Sequence, residues 1–163
     1  MVSLTRTAAV LALALIVAVG CGGGSAPTTN AGCGPTVREA LDSNLSHVLP
    51  GAPEPKYQTD PPTSGPHSPG ASPAGVVSAP LSRPAQVGIL EGGGVLVQYR
   101  DAGDLEALRT LANETTVVAP NPGLDGPVVA TAWLFKVRCS SVDTAALASF
   151  AMDRSGHGPG SGG

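Results

Sequence analysis

The sequence predicts an α+β fold: a small single domain with a mixed sheet, two to three helices (a ββαββα core) and a long Pro-rich arm. Three observations carry this. Apolar runs of strand length, rich in Val, lie at 95–99, 115–119 and 128–137. Apolar residues recur at helical spacing over 105–112 and 142–150. The chain has 163 residues, enough for one modest domain and not two. With only two Tyr, two Phe and one Trp, the core must be built from Val, Leu and Ala.

The elements follow in order. Arg6 precedes an unbroken apolar run, Ala8 to Val19. That length suits a signal peptide and is too short for a bilayer span of about 20 residues. The run ends Ala18-Val19-Gly20-Cys21, which resembles a bacterial lipobox with Ala18 where Leu is favoured. Residues 1–20 therefore read as a lipoprotein signal peptide, with Cys21 acylated and N-terminal after cleavage. Residues 21–35, opening Cys21-Gly22-Gly23-Gly24-Ser25, read as a flexible tether. The globular domain is expected over 36–153. In it, Thr36-Val37-Arg38-Glu39 has the form of a capping box, and Val37, Leu41 and Leu45 share one face of a helix ending near Ser46.

Residues 50–84 form the Pro-rich arm, with ten prolines. Proline cannot donate to a strand ladder and disfavours helix before it, so the arm is irregular. Val87, Ile89 and Leu90 then suggest a strand, Glu91-Gly92-Gly93-Gly94 a hairpin turn, and Val95–Tyr99 a buried strand. Asp101 or Asp104 caps a helix with Leu105, Leu108, Leu111 and Ala112 inward. A strand from Thr115 to Ala119 ends at Pro120-Asn121-Pro122-Gly123. One longer strand spans Val128–Val137. Ser140-Ser141-Val142-Asp143 opens a helix with Val142, Ala146, Leu147 and Phe150 inward, and residues 154–163 read as a disordered tail.

Cys33 and Cys139 remain once Cys21 is assigned to a lipid. In an exported protein an even remainder suggests one disulfide. No cluster of Lys and Arg exists, which argues against a nucleic-acid partner because phosphate contacts dominate that affinity. No polybasic membrane patch exists either. Membrane association is expected through a lipid anchor at Cys21, on the extracytoplasmic face of the cell membrane, with an envelope protein as the further partner.

The order Tyr57, Pro61-Pro62-Thr63-Ser64-Gly65-Pro66-His67, Leu90-Glu91, Val95, Tyr99 and Ala130-Thr131-Ala132-Trp133 resembles the domain-of-unknown-function 3105 family of bacterial exported and membrane-tethered proteins. The likeness covers about His47 to Pro159. Where the family often reads His-x-Leu-Glu-His-Gly, this chain has Gly88, Leu90, Glu91, Gly92 and Gly93, so Glu91 is kept and both histidine positions are glycine. Any metal or reaction those histidines serve is not implied for this chain. The resemblance implies location and fold more than an activity.

Tyr57, Ser64, His67, Glu91 and Trp133 are the candidate binding or structural residues. His67, held by Pro66, reads as a lock that bonds Glu91 or a carbonyl and pins the arm to the sheet. Its functional alternative is a ligand or base paired with Glu91. Glu91, before three glycines, is expected to accept backbone N–H bonds. Trp133, if exposed, would be a carbohydrate or peptide platform. His47 suits a helix C-terminus, and His157 reads as solvated. No spacing forms a metal signature, so no cofactor and no catalytic residue is expected. The leading reading is a lipid-anchored, non-catalytic binding or scaffolding module. The alternative is a zinc- or copper-binding envelope protein using His67 and Glu91. The weaker alternative is a serine hydrolase using Ser64 and His67, although Thr-Ser-Gly-Pro-His is not a nucleophile elbow.

Overall fold

A computed structural model describes residues 32–161. The signal peptide, Cys21 and most of the expected tether lie outside the described residues. Six strands form one mixed sheet in the order β1-β6-β5-β3-β4-β2. They are β1 (Val37–Arg38), β2 (Gly75–Val76), β3 (Val95–Tyr99), β4 (Thr116–Pro120), β5 (Val128–Ala132) and β6 (Phe135–Cys139). The helices are α1 (Arg83–Glu91), α2 (Leu105–Leu108, flanked by 3-10 turns) and α3 (Thr144–Arg154). The fold is α+β, as the periodicities predict. β3 pairs parallel with β4 and antiparallel with β5.

Strand residues alternate between two faces. Val95, Val97, Tyr99, Val118, Val128, Ala130, Val137 and Cys139 join Leu108 of α2 and Leu147, Phe150 and Ala151 of α3 in the larger core. On the other face Leu96, Val117 and Ala119 pack with Ile89 and Leu90 of α1. Asp143 caps α3 by accepting from the Ala146 N–H at 3.0 Å. The Cys33–Cys139 disulfide forms, with the Cα atoms 3.8 Å apart. It fastens the start of the described chain to the end of β6.

Five local expectations are corrected. Residues 83–91 are a helix, not a strand: Pro84 stands in its first turn, where proline fits, and Gln86, Val87, Ile89 and Leu90 are buried along it. The glycines after it therefore join a helix to a strand rather than closing a hairpin. The long strand at 128–137 is a hairpin, broken at Trp133-Leu134, with Leu134 at φ 63°. No helix forms at 37–46, because tertiary contacts take its polar groups. Val37 and Arg38 pair with β6, Glu39 turns to Lys136 at 3.1 Å, and the Asp42 N–H goes to Ser64. Neither Asp101 nor Asp104 caps the α2 region with its side chain; Asp101 instead pairs with Arg100 at 3.1 Å.

The chain end, read as a disordered tail, runs back over the turn after α1. Gly156 N–H donates to Gly93 O at 2.8 Å, and Gly160 N–H to Glu91 O at 2.9 Å. The approach is close enough that a Cβ at Gly158 would meet the Glu91 carbonyl and the Gly93 N–H.

Candidate functional site

Residues 61–67, Pro-Pro-Thr-Ser-Gly-Pro-His, are all buried although they form no strand or helix. A buried irregular segment must find partners for its backbone and side-chain polar groups. Here the partners come from four separate parts of the chain. Ser64 Oγ accepts the Asp42 N–H at 2.9 Å. The Thr63 carbonyl accepts the Leu134 N–H at 3.0 Å. The Pro66 carbonyl accepts the Tyr57 hydroxyl at 2.7 Å. His67 exchanges backbone bonds with Ser46 and Val48 at 3.0 and 2.8 Å. The Ser68 N–H reaches the Pro84 carbonyl at the start of α1 at 3.0 Å. The segment thus ties together the N-terminal stretch, Tyr57, the β5–β6 turn and α1.

His67 is 6% exposed. Its Nδ1 lies 3.1 Å from the Gly65 carbonyl, and its ring meets that of His47 edge to face, with centroids 4.9 Å apart. That carbonyl belongs to the arm itself, so the ring closes a local turn and does not reach the sheet; the backbone, not the imidazole, ties this segment to its neighbours. No hydrogen bond or ion pair joins His67 to Glu91 among the described residues. Glu91 stands at the end of α1, where its carboxylate oxygens are 2.8 Å from the position of a Cβ on Gly160. Its backbone carbonyl, not its carboxylate, takes the N–H from the chain end. Ser64 is 6% exposed and engaged by Asp42, and no bond joins it to His67 among the described residues. Trp133 is half-buried and packs on the smaller core with Ile89, Leu90 and Leu96, so it is no exposed platform.

Gly65 shows how tightly the segment fits. Its φ is +128°, and a Cβ there would lie 2.9 Å from the Tyr57 ring and 3.3 Å from Asp42 Oδ2. Gly88, which stands at a histidine position of the resembled motif, is also confined: a Cβ would lie 3.0 Å from the Ser68 carbonyl. The helix and the buried segment touch backbone to backbone there.

Electrostatics follow from burial. Burial above all, with Glu54 adding to it, pushes the Tyr57 phenol up to about 12. The hydroxyl therefore stays protonated and can donate to Pro66. Lys136 is 3% exposed beside Glu39. Burial lowers its pKa below the ordinary lysine value, and the hydrogen bond and charge of Glu39 oppose that shift. Arg83 holds Asp60 at 3.1 Å and Glu54 at 3.5 Å. These three line an open groove of about 470 Å³ with Lys56, Tyr57 and Thr59. The described residues contain no group of three or more His, Cys, Asp or Glu placed to hold a metal.

Sequence reasoning missed Asp42 and the pairing of Glu39 with Lys136. Lys136 carried a signal, since it interrupts an apolar strand run where only a paired charge is tolerated. Asp42 carried none. Also unforeseen is the amide row Gln86, Gln98 and Asn121. Gln98 Nε2 donates to Gln86 Oε1 at 3.1 Å, and Asn121 Nδ2 donates to Gln98 Oε1.

A protein-family profile described as "Protein of unknown function (DUF3105)" matches residues 52–162. The chain belongs to this family. The matched span takes in the buried Pro-Pro-Thr-Ser-Gly-Pro-His segment, all three helices and strands β2 to β6 of the DUF3105 chain. It leaves out β1 and the stretch to Gly51. No match to the chain was found among curated proteins or solved structures.

Proposed function

We propose that this DUF3105 chain is a lipid-anchored envelope lipoprotein whose domain is a non-catalytic binding or scaffolding module. The observation that carries the second half is the occupation of residues 61–67. The Ser64 hydroxyl, the Thr63 and Pro66 carbonyls, and the His67 backbone and Nδ1 all bond to the protein itself. Groups so engaged fix a fold. The apolar run ending in Cys21 supports the first half, as does the Cys33–Cys139 disulfide, a bond that persists in oxidising compartments. Several acyl chains hold a protein on a membrane where one alone holds weakly.

Metabolic labelling with a palmitate analogue tests the anchor. The account expects label on the chain, its loss in Cys21→Ala, and recovery of the wild-type chain with the membrane. Unlabelled wild-type chain would overturn it. An envelope pull-down after crosslinking tests the module: a partner captured by wild type and lost on substitution around the Tyr57–Arg83 groove supports it. Turnover of an activated ester lost in Ser64→Ala would contradict it.

A further inference from the structure

Four large apolar side chains lie exposed in one short stretch: Val37 at 50%, Leu41 at 52%, Leu45 at 43% and Leu49 at 68%. The same stretch turns its acids inward. Glu39 pairs with the buried Lys136, and Asp42 is 8% exposed against the buried segment. Arg38 stays exposed. Single exposed apolar residues are ordinary, but a stretch with leucines outward and carboxylates inward reverses the usual division between surface and core. The reversal is held at defined points: β1 on β6, the Glu39 N–H on Leu134 O at 2.8 Å, and the Val48 N–H on His67 O at 2.8 Å.

We infer that residues 37–49 rest on the lipid bilayer, with their apolar side chains at the boundary between headgroups and acyl chains. The inference rests on the reading of Cys21 as acylated. Cys21 and Gly32 are eleven steps apart along the chain, at most about 40 Å when fully extended. Val37 begins five residues further on, and the disulfide at Cys33 fixes where the tether joins the domain. The row therefore cannot leave the neighbourhood of the membrane, and tethering multiplies the effect of a weak contact. Withdrawal of Glu39 and Asp42 removes the charges that an anionic headgroup layer would repel, while Arg38 remains to meet it. Beside Leu49, a groove of about 360 Å³ continues the surface, its wall mostly apolar (Val48, Pro50, Pro69 and Pro84) and carrying Glu54, whose carboxylate is paired with Arg83.

The test uses the intact chain in vesicles of phosphatidylethanolamine and phosphatidylglycerol doped with a diazirine-tailed phosphatidylcholine. Crosslinks are mapped by mass spectrometry, and the acyl mass on Cys21 is read in the same digest. The inference expects crosslinks within 37–49, little changed by salt. The triple substitution Leu41→Ser, Leu45→Ser and Leu49→Ser should reduce them about tenfold without lowering the melting temperature. Should that variant misfold, the wild-type map alone decides. An acylated chain with crosslinks confined to residues 21–31 overturns the contact and leaves the anchor standing. An unacylated chain that still crosslinks within 37–49 overturns the anchor and supports the contact. A chain with neither overturns both.

Discussion

The hydroxyl of Tyr57 donates to the carbonyl of Pro66 at 2.7 Å, nine residues along the chain, and its ring closes on Gly65 between them. Each residue leaves the other little freedom. Gly65→Ala places a Cβ 2.9 Å from that ring at φ +128°, a backbone region that costs a non-glycine residue about 1–3 kcal/mol before the clash is counted. The expected loss by chemical denaturation is therefore about 3 kcal/mol. Tyr57→Phe keeps the ring and removes the bond, for about 1 kcal/mol. Equal stability of Gly65→Ala and wild type would show that the segment is not closed here.

Burial of the same phenol sets a pH dependence. The Tyr57 phenol is raised from 10.0 to about 12, so the folded chain keeps a proton that the unfolded chain releases. Its contribution is complete below pH 10 and is lost as pH rises towards 12. Lys136 acts in the opposite sense: its folded pKa lies below 10.5, so stability gains as pH rises to that value. Comparing wild type with Tyr57→Phe at each pH cancels the lysine. The stability difference should shrink or change sign between pH 10 and 12, and a constant difference would contradict the account.

Gly158 is the tightest point of the chain end. Its missing Cβ leaves room for the Glu91 carbonyl and the Gly93 N–H, both backbone and unable to move aside. Gly158→Ala should release residues 156–161, exposing the Gly156 and Gly160 amides to faster hydrogen exchange at a global cost of about 1 kcal/mol. Unchanged exchange at both amides would show that the contact does not hold the segment.

The disulfide closes a separation of 106 residues. Loops of that size are assigned about 4.7 kcal/mol by chain entropy, and removing a native bridge from a small secreted domain costs about 2–5 kcal/mol. Replacing Cys33 and Cys139 by Ser together should cost that much in denaturant titration. A loss under about 1 kcal/mol would mean that the sheet orders residues 33–39 unaided.

Much of the sheet was legible because its signals are local. Val95–Tyr99 and Thr116–Pro120 are apolar runs of strand length, and Asp143 stands where a cap is needed. The errors came where distant groups decide. Val87, Ile89 and Leu90 suit a strand until Arg83-Pro84 is taken as a helix start. The 37–46 stretch has a capping box and helical spacing, yet Lys136 and Ser64 claim Glu39 and the Asp42 N–H from far along the chain. The hairpin break at Leu134 is a single positive φ that no residue preference announces. In the candidate site, the importance of Pro61–His67 was visible in its composition. The partners were not, because Asp42, His47 and Leu134 meet it only through the fold.

Thermal unfolding of wild type and His67→Ala, each with chelator and with added zinc or copper, is the most direct test that residues 61–67 lock the fold. The account predicts that His67→Ala loses about 2 kcal/mol, a fall in Tm of roughly 5–10 °C. Metal should shift neither protein. A Tm of wild type that rises with metal, through an effect that His67→Ala abolishes, would contradict the account and make His67 a ligand.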